Sequence, residues 1–167
     1  VMNLERAFTR RNFISQSTAV TAGAVAVTKL AAVPVKKGDV IKIGLVGCGG
    51  RGTGACRQAL QADTGTRLVA MADMFSDRLD GSLERLLAIP AVSERISVLA
   101  EKRFVGFDAF DQLLASGVDV VLLATPPHFR PVHIEKAINA GVHVFAEKPV
   151  AVDGPGIRSV LASCKLA

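Results

Sequence analysis

The sequence predicts an α/β protein built on an open, doubly wound parallel sheet, and three observations carry that prediction. After Gly38, short β-branched runs alternate with stretches of helical spacing. A glycine-rich loop follows the first run and opens the first helix. Each residue of chemical interest follows the carboxyl end of a strand, the edge at which such sheets bind ligands.

Taken in order, Val40–Val46 is a compact β-branched run of the kind buried in parallel sheets. A helix is expected over Gly52–Ala62, then a strand over Arg67–Ala72 that ends at Asp73. Leu79, Leu83, Leu86 and Leu87 give Ser76–Leu87 an apolar face at helical spacing. Residues 88–101 read as irregular, with Pro90 as the break. A short strand follows at Arg103–Val105, then a helix at Asp108–Ala115 with Asp108 as N-cap. Val118–Ala124 is the fourth strand, and Pro131–Ala140 a helix stopped by Gly141. Val142–Ala146 is the fifth strand and Asp153–Cys164 the last helix.

Charge narrows the function classes. The 167-residue chain has a net charge of +5. Residues 1–37 hold six Lys or Arg against Glu5 alone, and the rest holds 14 basic against 14 acidic residues. The basic excess therefore belongs to the leader, and the folded part lacks the footprint of a nucleic-acid binder. Trp and Tyr are absent, which removes most stacking platforms for single strands. Three cysteines, Cys48, Cys56 and Cys164, form no metal-ligand spacing, so no metal site is expected. Each reads as a buried or semi-buried thiol.

The leader has the layout of an export signal. Thr9-Arg10-Arg11-Asn12-Phe13-Ile14 is a charged start, followed by an uncharged, small-residue-rich stretch from Gln16 to Thr28. It resembles a twin-arginine signal, with cleavage expected near Ala31–Val35. The apolar run is too short for a stable membrane span, although an uncleaved leader would tether the protein. The expected address is the periplasm or beyond.

Gly47-Cys48-Gly49-Gly50-Arg51-Gly52 matches G-x-G-x-x-G between a strand and a helix. Gly47 permits the tight turn, Gly49 lets a pyrophosphate approach the backbone, and Gly52 lets the helix pack against the strand. Gly50 and Arg51 open the helix, whose free N–H groups suit a phosphate. Asp73 stands at the second strand's end, about 20 residues beyond the loop, where its carboxylate can accept from ribose hydroxyls. Together these define a dinucleotide-binding Rossmann unit. Asp73 favours NAD because it would repel a 2′-phosphate, while Arg51 and Arg78 could pair with one, so NADP stays open.

Beyond the loop, the fourth strand ends in Ala124-Thr125-Pro126-Pro127-His128-Phe129-Arg130 and the fifth in Glu147-Lys148-Pro149. With the glycine loop, Asp73 and Gly141-Val142-His143-Val144-Phe145-Ala146 ahead of Glu-Lys-Pro, the chain resembles the glucose–fructose oxidoreductase / inositol dehydrogenase / MocA family from about Val40 onward. The resemblance implies hydride transfer between a nicotinamide cofactor and a hydroxyl carbon of a sugar or cyclitol. Lys148 would lie beside the nicotinamide and the reacting carbon, where an ammonium can bond the substrate hydroxyl and stabilise a developing alkoxide. Glu147 would orient the lysine or the cofactor, and Thr125 and Pro126 would line the crevice.

The chain departs from the common pattern of that family at Pro127, Arg130 and Val142, where Asn, His and Lys are frequent. His128 or Arg130 could then take a polar role near cofactor or substrate; His133 and His143 read as structural. The resemblance also implies a downstream domain with an Asp and a His that act with the lysine, most substrate contacts and a homo-oligomer interface. The chain is accordingly expected to be a fragment that binds cofactor without turnover. Two alternatives stay open: an NAD-dependent glycosidase of the same fold and a non-catalytic NAD(P)-binding protein. A methyltransferase using adenosylmethionine is disfavoured by Glu-Lys-Pro.

Overall fold

The computed structural model describes residues 39–167. The leader read at residues 1–37 lies outside the described residues. The element order is β1 (Ile41–Val46), α1 (Gly50–Ala62), β2 (Thr66–Asp73), α2 (Ser76–Leu87), a short α3 (Pro90–Ser93), a 3₁₀ turn (Ala100–Lys102), β3 (Arg103–Val105), α4 (Ala109–Ala115), β4 (Val120–Leu123), α5 (Arg130–Asn139), β5 (His143–Ala146) and α6 (Gly154–Leu166).

The five strands form one parallel sheet in the order β3-β2-β1-β4-β5. Chain order reverses between β1 and β4, which opens a crevice at the carboxyl ends of those two strands. Alternation along the strands sends residues to two cores. Ile43, Leu45 and Leu122 pack with Leu60 of α1 and Leu79, Leu83 and Leu86 of α2. Val46, Val121 and Leu123 pack with Leu113 of α4, Ile134 of α5 and Val160 of α6. A bulge where β2 pairs with Ile43 and Gly44 slips the register, so Leu68 and Met71 share one core despite odd spacing.

Ser76–Leu87 and Arg103–Val105 form as the periodicity predicts. The segment expected to be irregular contains α3, which begins on Pro90, where the missing N–H costs nothing. It also contributes a parallel bridge between Leu68 and Ile96. α1 starts at Gly50 rather than Gly52, with the extended Gly49 in the N-cap position. β4 is shorter than Val118–Ala124; the Asp119 carboxylate accepts the Lys42 N–H at 2.7 Å where a ladder bond would run. Asp108 holds the N-cap position of α4, as expected, but its side chain makes no capping bond. Its own backbone is helical, and its carboxylate accepts from Gln112 Nε2 at 2.6 Å. Gly141 does terminate α5, at φ 70°, with the Gly141 and Val142 N–H groups donating to Ile138 O and Ala137 O. Among the described residues, no helix is long and apolar enough to cross a membrane.

Candidate functional site

The glycine loop is shaped by close backbone approach. Gly47 adopts φ 91°, and a Cβ there would stand 2.8 Å from Ala124 C and Thr125 N. At Gly52 a Cβ would meet Gly47 O at 1.9 Å, so that position admits no side chain while α1 keeps its seat against β1. Gly49 and Gly50 are different: a Cβ at either meets nothing within 4 Å. The open side of the loop therefore lies over Gly49 and Gly50. α1 begins there with no side-chain cap and no acidic residue in its first turn. The first N–H groups of a helix have no intrahelical acceptor, so this start presents donors and the positive end of the helix dipole.

Asp73 reaches this loop from the end of β2. Its Oδ2 accepts the Cys48 N–H at 2.6 Å and its Oδ1 accepts the Phe75 N–H at 3.0 Å. One bond on each oxygen fixes the carboxylate and leaves further lone pairs for hydroxyl donors. Cys48 itself is buried, and burial with the nearby Asp73 charge pushes its thiol up; burial alone pushes that of Cys56 up to about 12. Both are inert core thiols; Cys164, expected to be buried or semi-buried, is exposed at the end of α6.

A cleft of about 430 Å³ opens beside Asp73, between the ends of β2, β3 and β4. Its wall is aromatic, with Phe75, Phe107, Phe110, Phe129 and His133, and Arg78 stands at the Asp73 side. Gly47, Gly49, Thr125 and Pro126 line it as well. The His133 ring lies 4.2 Å from that of Phe110, and its Nδ1 is 3.3 Å from Thr125 Oγ1. Burial pushes its pKa down to about 4, with Lys136 adding to the shift and Asp111 opposing it. The cleft wall is thus neutral imidazole at ordinary pH.

The Glu-Lys-Pro turn sits at the carboxyl end of β5, with a cis peptide between Lys148 and Pro149. Glu147 is buried and forms an ion pair with Arg51 of α1. That hydrogen bond holds the Glu147 carboxyl below the usual carboxylate range against its own desolvation. The carboxylate also compensates Arg51, a cation otherwise disfavoured at a helix start. Arg51 is thereby committed to Glu147, which leaves Arg78 as the cation on the Asp73 side of the cleft. Lys148 is exposed, with no ion pair among the described residues. Arg130 is 5 % exposed, and its Nη1 donates to Glu147 O and to Pro149 O at 2.6 Å. His128 is exposed, lies edge-on to Phe129 and does not line the cleft.

The structure thus brings Gly47, Gly49, Gly50, Arg51, Gly52, Asp73, Thr125, Pro126, His128, Glu147 and Lys148 to one edge of the sheet; of these, Gly47, Gly49, Asp73, Thr125 and Pro126 line the cleft. The aromatic wall and the Arg130 bonds have no counterpart in the sequence motifs. Phe129 and His133, four apart at the start of a helix, were the available signal for a shared face. Among the described residues no group of His, Cys, Asp or Glu could hold a metal.

Fold and loop together define a dinucleotide-binding α/β domain. Residues 41–166 match the model of the GFO_IDH_MocA family, an oxidoreductase family with an NAD-binding Rossmann fold, and the chain belongs to that family. It is 30% identical over 124 residues to inositol 2-dehydrogenase from Klebsiella pneumoniae, covering 72% of this chain and 32% of that protein. It is 29% identical over 124 residues to a glycosyl hydrolase family 109 protein from Streptomyces niveus, covering 74% of this chain and 24% of the relative. Among solved structures, a 3-ketoreductase from Actinomadura kijaniata in complex with NADP and TDP-benzene is similar at TM-score 0.57 and 27% identity, over 76% of this chain and 34% of the other. The chain spans about a third of the length of the inositol dehydrogenase it matches.

Proposed function

We propose that this chain is the cofactor-binding part of an exported oxidoreductase that moves a hydride between a nicotinamide and a hydroxyl carbon of a sugar or cyclitol. The observation that carries the proposal is convergence: the uncapped start of α1, the fixed Asp73 carboxylate and the braced Glu-Lys-Pro turn share one edge of the sheet. The space over Gly49 and Gly50, which a Cβ would enter without obstruction, fits a pyrophosphate against the helix N-terminus. Asp73 accepts from ribose hydroxyls, the aromatic cleft receives the adenine end, and Thr125 and Pro126 line the crossing point. When bound, the nicotinamide supplies or accepts the hydride. Lys148 holds the substrate oxygen and stabilises its developing negative charge, and Glu147 keeps the turn against α1.

Asp73 makes NAD the preferred cofactor, because a 2′-phosphate would meet a carboxylate already fixed in place; Arg78 is the counterweight. NADH is therefore expected to bind at least about tenfold more tightly than NADPH by fluorescence titration. Equal affinity would remove Asp73 as the discriminator. Turnover is assigned to the longer protein, together with a downstream substrate domain and a homo-oligomer interface. The resemblance of residues 9–28 to a twin-arginine signal supports a periplasmic address for it. The relative from Streptomyces niveus supports a second reading, a glycosidase that retains NAD through each cycle. Hydrolysis of a glycoside without net change in NADH by the full-length protein would establish that alternative.

A further inference from the structure

Arg130 opens α5, and four features make it a poor stabiliser. It is a buried cation, which costs free energy unless paired and hydrogen-bonded. It occupies the first position of a helix, where the dipole disfavours positive charge. It belongs to none of the ion pairs among the described residues, which are Lys42–Asp119, Arg51–Glu147 and Lys136–Asp111, and the nearby Glu147 charge offsets its desolvation only in part. Its Nε is buried without a partner. What Arg130 does have is two carbonyls on one nitrogen, those of Glu147 and Pro149. These carbonyls belong to the residues on either side of Lys148, so one donor fixes the Glu147–Lys148 and Pro149–Val150 peptides and holds the turn from both sides of the lysine. The other side of the same turn is held by Arg51 on the Glu147 carboxylate.

We infer that Arg130 is the positioning residue for Lys148: by clamping the carbonyls of Glu147 and Pro149 it fixes the direction in which the lysine ammonium meets the cofactor crevice. The inference rests on the reading of Lys148 as the group beside the reacting carbon. It explains why a guanidinium is used, since a planar fork loses less freedom per bond than an ammonium on a flexible stem. A lysine at 130 retains the charge and a donor, and so restores the clamp in part.

The test uses the whole chain, wild type against Arg130→Gln and Arg130→Lys, with NADH as the probe. Hydrogen exchange of the Glu147, Lys148 and Val150 amides should become roughly tenfold faster in Arg130→Gln, while exchange in the glycine loop stays as in wild type. NADH affinity should remain within about threefold of wild type, because the loop and Asp73 are untouched. The side-chain carbon signal of Lys148 should move on NADH addition in wild type, move far less in Arg130→Gln, and recover by about half in Arg130→Lys. A folded Gln variant with unchanged exchange at Glu147, Lys148 and Val150 overturns the clamp. Should the Gln variant not fold, Arg130→Lys decides in the same way. The wild-type chain decides independently, since fast exchange of the Arg130 Nη protons also overturns it. A wild-type Lys148 signal that stays still at saturating NADH instead overturns the placement of Lys148 at the cofactor. The two failures are thus separable.

Discussion

The glycine loop and the Glu-Lys-Pro turn occupy the same edge of the sheet, yet they are held by opposite means. The loop is fixed by the absence of side chains: Gly52 packs its Cα where any Cβ would strike the Gly47 carbonyl. The turn is fixed by two long side chains arriving from elsewhere, Arg51 on the Glu147 carboxylate and Arg130 on the flanking carbonyls. One site tolerates no added atoms at Gly47 and Gly52. The other depends on charged atoms that a mutation can remove while the backbone survives. The difference suits what each is proposed to do, since a phosphate cradle needs bare N–H groups and a reactive lysine needs a defined direction.

The largest effect expected from this contrast is Gly52→Ala. The clash is with backbone, which cannot yield as a side-chain end would, so the cost should reach or exceed the upper part of the usual overpacking range, about 3 kcal/mol. Urea denaturation measures it directly. Gly49→Ala separates shape from binding: with open space around it, stability should stay within about 0.5 kcal/mol of wild type. NADH affinity should nevertheless fall about tenfold or more, because the new methyl enters the phosphate approach. Wild-type NADH binding by Gly49→Ala would move the pyrophosphate off this face of the loop.

A smaller effect tests whether the two regions communicate. Arg51 belongs to the loop helix and is paired with the turn, so an anion over α1 competes with Glu147 for it. Glu147→Gln should free Arg51 and raise NADH affinity by about three- to tenfold, and Arg51→Ala should lower it. Because Arg51 holds the Glu147 carboxyl below its ordinary range, the carboxylate keeps its charge above that range and loses it only as pH falls through the depressed value. Wild-type NADH affinity should therefore show no contribution from this group between about pH 5 and pH 8. If Glu147→Gln weakens binding as Arg51→Ala does, the ion pair holds the loop in its binding shape rather than competing with the ligand.

Parts of this arrangement were legible in the sequence because their signals are local. The glycine loop, Asp73 and Glu-Lys-Pro each lie within a few residues of a strand end, and strand alternation brought them to one edge. The braces were not legible. Arg51 and Glu147 are 96 residues apart and Arg130 and Glu147 are 17 apart, so no spacing rule joins them. Arg51 was read as a candidate for a 2′-phosphate, which its pairing with Glu147 now leaves to Arg78. Asp108 shows the same limit from the other side: a residue of the right type at a helix start, used instead for Gln112. The aromatic cleft escaped notice because Phe75, Phe107, Phe110 and Phe129 come from three different strand-to-helix connections and one helix.

The smallest expected effect concerns His133, which the sequence marked as structural and the structure places in the cleft wall on Thr125. Its ordinary pKa of 6.5 is pushed down to about 4 by burial, with Lys136 adding and Asp111 opposing. Between those values the unfolded chain takes up a proton that the folded chain refuses. Stability therefore falls as pH drops from 6.5 toward 4, and the full contribution returns above 6.5. Discounted for partial exposure, the loss is on the order of 1 kcal/mol, a few degrees of Tm. Melting curves at about pH 7 and about pH 5 should show that fall in wild type, and His133→Phe should flatten it while retaining the tilted ring contact with Phe110. An equal fall in the Phe variant would assign the acid sensitivity to other groups. A flat wild-type curve would mean that the imidazole charges inside the fold, and the cleft wall would then gain a positive charge opposite Asp73 in the pH range where the neutral ring was argued.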